Sequence, residues 1–287
     1  MATVGIPGPM PAPRNFGWPL KTIETSHFEI MQRDNGQFMV VLNHALVRGV
    51  TAKMLTWWFR TFTHLRVTLD DVPAYEGKTV PAYLLWHPSD HFNATLKGRT
   101  GPHGAPIAGR TRIHIQEAMQ YQTYGWDYPV NTALKVAYVG DDGWAMGRIL
   151  PVLGPVMMLR IHFRDVVQGG THLGVHYHYE IVIGLRSNDP VSRFINRRIT
   201  HSFGLQFFEA WLTHNVIEVG TFEHFLPALY AQRLNGITLH YAQQRTGISK
   251  TNPQTGHDAD LVARRVVAFT ESDDPLATLA YDKRTFL

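Results

Sequence analysis

The chain has 287 residues, 44% of them hydrophobic, enough to bury one large core or two small ones. Its 27 basic and 23 acidic residues give a formal charge of +4, too small an excess to argue for a nucleic-acid partner. There is no cysteine, which excludes disulfides and thiolate metal sites, so any metal must be held by histidine, aspartate or glutamate. The longest apolar runs, such as 149–159, are short and broken by proline and glycine, so no membrane span is expected. The Pro/Gly-rich opening 1–19 lacks the basic end and apolar stretch of a signal peptide. A cytoplasmic protein with neither nucleic-acid nor membrane partners is the expectation.

Residues 1–20 read as an irregular arm and 36–46 as the first strand, carrying Met39, Val40, Val41 and Leu42. Residues 51–65 read as a helix with Thr51 as N-cap and an apolar content of Met54, Leu55, Trp57, Trp58, Phe59 and Phe62. Six strand-like segments follow, at 80–86, 108–119, 131–139, 143–150, 156–167 and 171–185. Gly140-Asp-Asp-Gly143 and Gln168-Gly169-Gly170 have the composition of hairpin turns, which implies an antiparallel meander. A short helix around 190–199 and a long one at about 203–230 come next, and beyond 235 the sequence turns polar, with a turn at 251–256 and a strand or helix at 261–270. This order predicts an α+β fold in which a curved antiparallel sheet grips a long helix and leaves a cavity. Its expected parts are an N-terminal arm and first strand region (1–50), a helix-grip domain (51–235) and a C-terminal extension of uncertain structure (236–287).

Within the long helix, His214 and Glu218 are four residues apart and share one face. Phe207, Trp211 and Phe225 fall in the same stripe, which is otherwise apolar. A carboxylate in such surroundings must be paired or coordinated; the competing reading is an ordinary surface hydrogen bond. A transition metal needs three or four ligands, so others must be supplied elsewhere. Read as an unbroken strand, the segment from Tyr83 to His91 puts His87 and His91 on one side; Pro88 points to a bend or strand end there, where side chains are aimed at ligands, and both histidines are candidates. Around Arg112 to Glu117 the alternation sets Glu117 on the face of Ile113 and Ile115, an unusual place for a carboxylate. A rival cluster is His176, His178 and Glu180, reminiscent of a cupin metal site. Tyr177 faces the other way with Val175, Tyr179 and Ile181, so Tyr177 and that cluster cannot both line a cavity.

Several of these segments, in order, carry a resemblance: Met54-Leu-Thr-Trp57-Trp58-Phe59, Tyr83-Leu-Leu-Trp86-His87-Pro88-Ser-Asp-His91, His162-Phe-Arg-Asp-Val-Val-Gln-Gly169-Gly170, and His214-Asn-Val-Ile-Glu218 followed by Phe225-Leu-Pro227-Ala-Leu-Tyr230. Together they resemble the 2,4-diacetylphloroglucinol hydrolase and phloretin hydrolase family. The resemblance implies a Bet v1-like helix-grip domain, a homodimer, and zinc held by His91, Glu117, His214 and Glu218, with His87 as the alternative first ligand. It implies hydrolysis of the carbon–carbon bond between an acyl group and a polyhydroxylated aromatic ring. Tyr83, His162 and Tyr177 are implied to hydrogen-bond the phenolic oxygens and move the proton needed at the ring carbon. Ala94 stands where the family has a substrate-contacting Asn, with Asn93 beside it; Asn93 and Trp211 complete the expected substrate-facing set.

The chemistry is reasonable on its own terms. A ring carbon is a poor leaving group unless a neighbouring phenol ketonises, which places the scissile bond in a 1,3-dicarbonyl, and zinc can polarise the acyl carbonyl or acidify water. The competing function is a metal-independent polyketide-binding or cyclase protein using the same cavity.

Overall fold

The computed structural model describes residues 8–70, 72–200, 205–242 and 266–269. Strands β1 (His27–Arg33) and β2 (Phe38–Asn43) form a hairpin, followed by the two-residue β3 (Val47–Arg48). Helix α1 (Ala52–Thr61) begins where the Thr51 hydroxyl accepts the Met54 amide at 3.2 Å, the expected N-cap, and it buries Leu55, Trp58 and Phe59. Strands β4 (Arg66–Asp70) and β5 (Lys78–Pro81) lead to the one-turn helix α2 (Tyr83–Trp86). Then come β6 (His91–Thr100), β7 (Pro106–Ala118), the short α3 (Tyr121–Tyr124), β8 (Pro129–Val139), β9 (Gly143–Leu150), β10 (Gly154–Gln168) and β11 (Thr171–Ile183). Helices α4 (Pro190–Thr200) and α5 (Leu205–Ala231) precede β12 (Thr238–Ala242) and β13 (Val266–Phe269).

The strands form one sheet in the order β13-β1-β2-β11-β10-β9-β8-β7-β6, with β3 also paired to β11, and a small sheet β12-β4-β5. From β6 to β11 every neighbour is antiparallel, so the expected meander is present. The expected helix-grip architecture is not. The body of the molecule is the large, mainly antiparallel sheet, with 43% of the chain in strands against 28% in helices. Helix α5 takes its backbone neighbours from α1, α2, β3 and β12 instead of being wrapped by the sheet. The reason lies in segments that the hydrophobic pattern did not mark as strands. Seven residues, His27–Arg33, and ten, His91–Thr100, are strands that widen the sheet at both ends. The second ends in a polar, exposed run from Lys97 to Thr100 that hides its period.

One further expectation changes. Residues 80–86 are not one strand: β5 ends at Pro81 and Tyr83, Leu84, Leu85 and Trp86, all buried, form α2. A short, wholly apolar run has no alternation with which to choose between strand and helix. Within the expected N-terminal arm and first strand region, β2 pairs with β11 from Phe38↔Ile183 to Asn43↔His178 and so belongs to the main sheet. The turn at 251–256 lies outside the described residues. Among those described, no helix is long and apolar enough to cross a membrane.

The inner face of the sheet is set by strand alternation. Ile113, Ile115 and Glu117 of β7, Leu159 and Ile161 of β10, and Tyr179, Ile181 and Ile183 of β11 line a cavity of about 610 Å³, closed on the other side by Phe207, Phe208, Trp211 and Glu218 of α5.

Candidate functional site

Four side chains anticipated from the sequence come together, with Glu117, His214 and Glu218 on the cavity lining and His91 wholly buried beside Glu117. Helix α5 carries His214 and Glu218 one turn apart, with Nε2 of the former 3.4 Å from Oε2 of the latter. Strand β7 carries Glu117 one residue before its end, and Glu117 Oε2 lies 3.9 Å from the same His214 nitrogen. Strand β6 opens with His91 directly across the ladder from Glu117, and His91 Nε2 is 3.4 Å from Glu117 Oε2. His91, Glu117 and His214 form a group whose ligand atoms lie within 4.8 Å of one another.

The hydrogen bonds around the two imidazoles decide which nitrogen faces the centre. The Tyr83 carbonyl lies 2.9 Å from His91 Nδ1, and a carbonyl only accepts, so Nδ1 carries the proton. The lone pair is then on Nε2, which is buried, has no hydrogen-bond partner and faces a carboxylate oxygen. Burial, with His214 and His87 adding to it, pushes His91 well below the usual imidazole range, so protonating Nε2 is not the remedy. His214 Nδ1 lies 2.8 Å from Oδ2 of the fully buried Asp90, which leaves Nε2 facing the two glutamates.

The carboxylates carry the complementary strain. Burial first, then Glu218 and Asp90, push Glu117 up to about 7 against the opposing influence of His214 and Tyr83. Glu218 is raised by burial as well. For His214 burial works downward, yet the bonds to Asp90 and Glu218 and the charge of Glu117 hold it well above the ordinary range. The centre therefore has more negative charge than its buried surroundings tolerate, and a cation would relieve it. Two imidazole nitrogens and two carboxylate oxygens, with no thiolate, are a donor set suited to zinc or another divalent transition ion. The residues present fit such an ion.

Supporting contacts fix the four side chains. Tyr83 donates its hydroxyl to Glu117 Oε2 at 2.6 Å and stacks on His91 with ring centroids 3.9 Å apart and 4° between planes. Asn215 donates from Nδ2 to Glu218 Oε2 at 3.3 Å, and its Oδ1 is 3.1 Å from Nε2 of the buried His44. Asp90 also accepts from Ser89 Oγ at 2.8 Å and from the backbone amides of Gln120 and Tyr121 at 2.8 and 3.0 Å. Against the opposing effect of burial, His87 and His214 hold it well below the usual carboxylate range.

His87, the alternative ligand, stacks on His214 at 4.5 Å and belongs to a second close group, His87, Asp90 and His214. Its Nδ1 accepts the amides of Ser89 and Asp90 at 3.2 and 3.1 Å, so Nε2 carries the proton and points to Asp90 at 3.4 Å. It offers no lone pair to a metal.

Other expected site residues separate. Tyr83 and Trp211 line the cavity. His162 does not: it is exposed on the outer face of β10, between the buried Ile161 and Phe163. Asn93 sits outside the cavity as well, opposite Gln116, to whose Oε1 it donates at 3.4 Å. Tyr177 is wholly buried with a hydroxyl that finds no partner and is not part of the lining; two residues on, Tyr179 is. The cupin-like cluster dissolves, since Glu180 pairs with Arg160 and His178 Nδ1 lies 2.8 Å from Asn43 Oδ1. The sequence reading missed Asp90, Asn215, His44 and Tyr179. Only Asp90 had a local signal, a carboxylate set between buried histidines.

No family model matches the chain, and no curated protein matches it in sequence. Among solved structures it is similar to protein Ms6760 from Mycobacterium smegmatis, with a TM-score of 0.31 and 10% identity over 68% of this chain and 94% of that one, a likeness too distant to carry an argument.

Proposed function

We propose that the protein is a zinc-dependent hydrolase that cleaves the carbon–carbon bond between an acyl group and a polyhydroxylated aromatic ring, the activity implied by its resemblance to the 2,4-diacetylphloroglucinol and phloretin hydrolases. The observation that carries the metal centre is the buried, partnerless Nε2 lone pair of His91 facing Glu117. His91, Glu117, His214 and Glu218 would hold the ion. A bound zinc ion supplies Lewis acidity for the acyl carbonyl and for water.

The chain's own residues supply the rest. Water adds its oxygen to the acyl carbon and one proton to the ring carbon, giving a carboxylic acid and the deacylated phenol. The cavity's lining of Phe59, Trp144, Ile113, Leu159 and Trp211 fits a flat apolar ring and excludes bulk water from it. Tyr179, whose hydroxyl bonds to no described residue, lies on the cavity wall where burial and the charge of Glu218 hold it protonated, well above the usual phenol range. It is placed to hydrogen-bond a phenolic oxygen and to deliver the proton to the ring carbon. Tyr83, similarly raised by burial and Glu117, keeps its proton and fixes that carboxylate. The proposed setting is the cytoplasm.

The test is turnover of 2,4-diacetylphloroglucinol by protein stripped with chelator and then reloaded with zinc. Acetate and monoacetylphloroglucinol should be released only after reloading. Binding of the compound with no release in the zinc-loaded protein would favour a polyketide-binding protein.

A further inference from the structure

Four acidic or basic residues line the cavity, and three of them, Glu117, His214 and Glu218, belong to the metal centre. The fourth is Arg148 of β9. Arg160, on the neighbouring strand β10, is paired with Glu180. Arg148 has no such partner: it makes no ion pair or side-chain hydrogen bond to any described residue.

Strand alternation fixes the direction in which Arg148 points. Trp144, Met146, Arg148 and Leu150 of β9 all line the cavity, whereas Gly147 and Ile149 between them do not. Its partner across the ladder is Met157 of β10, another lining residue. The arginine therefore lies on the inner wall among apolar side chains, not on the outer face where a solvated charge needs no explanation. Met146 is buried and Leu150 half-buried, while Arg148 is exposed. This puts the guanidinium where the wall meets solvent, at the mouth of the cavity.

Open to solvent, the guanidinium keeps its hydration. A neutral apolar ligand that fills the cavity covers Arg148 and strips that water without replacing its hydrogen bonds, which costs affinity. A ligand with an anionic oxygen group at the same end replaces them with charge-assisted bonds, to which the planar guanidinium is suited. The wall thus selects against neutral ligands as well as for anionic ones. We propose that the cavity takes an amphipathic anion, a flat apolar body bearing a carboxylate or a like anionic oxygen group, and that Arg148 recognises that group at the mouth. This selectivity does not require the cavity to be hydrolytic. Under the hydrolase reading, on which this extension rests, the substrate is an acylated phenol whose carboxylate lies at the end of the molecule away from the acyl carbonyl.

The test is fluorescence titration of the full chain, as purified, with anilinonaphthalene sulfonate and with its neutral analogue phenylnaphthylamine. The two probes share a flat apolar body, and a sulfonate is a weak metal ligand, so the difference between them reports on Arg148 and not on the metal centre. R148Q should weaken sulfonate binding by about tenfold and leave the neutral probe unchanged. R148K, which keeps the charge, should stay within about threefold of the parent. R193Q, at an exposed arginine of α4 outside the cavity lining, should change neither probe. Arg148 is itself exposed, so its variants should melt as the parent does. No binding of the sulfonate, an equal effect of R148Q on both probes, or an equal loss in R193Q overturns the proposal. The titrations need no turnover, so a failure of the hydrolase reading, seen in the zinc-reloading assay, leaves them unaffected.

Discussion

Asp90 Oδ2 lies 2.8 Å from His214 Nδ1, although 124 residues separate the two in the chain. The bond fixes the imidazole so that Nε2, not Nδ1, is presented to Glu117 and Glu218. Replacing Asp90 by Asn keeps the shape and removes the charge. Zinc affinity, measured by competition with a chromogenic chelator, should fall by about 10–100-fold. Unaltered affinity would reduce Asp90 to a cap for the Gln120 and Tyr121 amides.

Tyr179 and His162 supply a contrast within the same pair of strands. Tyr179→Phe should lower turnover of an acylphloroglucinol by about 100-fold or more while zinc content is retained. His162→Gln, on the outer face, should leave turnover unchanged. The reverse pattern would return the proton-transfer role to His162.

His44 links acid sensitivity to the same region. Burial first, then the charge of Lys21, lowers it from 6.5 to about 3, against the bond to Asn215. Between those values the unfolded chain binds a proton that the folded chain refuses. Stability is therefore complete above about 6.5 and is lost as pH falls toward 3, at up to about 1.4 kcal/mol per pH unit. Urea unfolding across this window should show a shallower pH slope for His44→Gln than for the parent. Identical slopes would mean that His44 does not contribute.

The centre of the site was readable because its signals are local. His214 and Glu218 follow from helical spacing, and Glu117 from its phase with Ile113 and Ile115. His44 reaches the centre only through a long-range contact that no local pattern encodes, and Asp90, though set between two histidines in sequence, meets His214 from 124 residues away. The placement of His162 fails for a different reason. The run from Leu159 to Phe163 alternates, and its phase puts His162 on the face opposite the buried Ile161 and Phe163, whereas the resemblance implies a substrate-facing His162. The fold was misjudged where amphipathic alternation is weak. In β1 both Ile30 and Met31 are buried, and in β6 the last four residues are exposed, so neither segment shows a clean period of two. Without them the remaining strands suggested a smaller sheet curled about α5.

The central claim is that His91, Glu117, His214 and Glu218 hold a metal ion. Elemental analysis of the wild-type protein, purified without chelators, and of Glu218→Ala tests it most directly. Near-stoichiometric zinc in the first and its loss in the second is the predicted result; a metal-free wild type, or equal metal in both proteins, would contradict it.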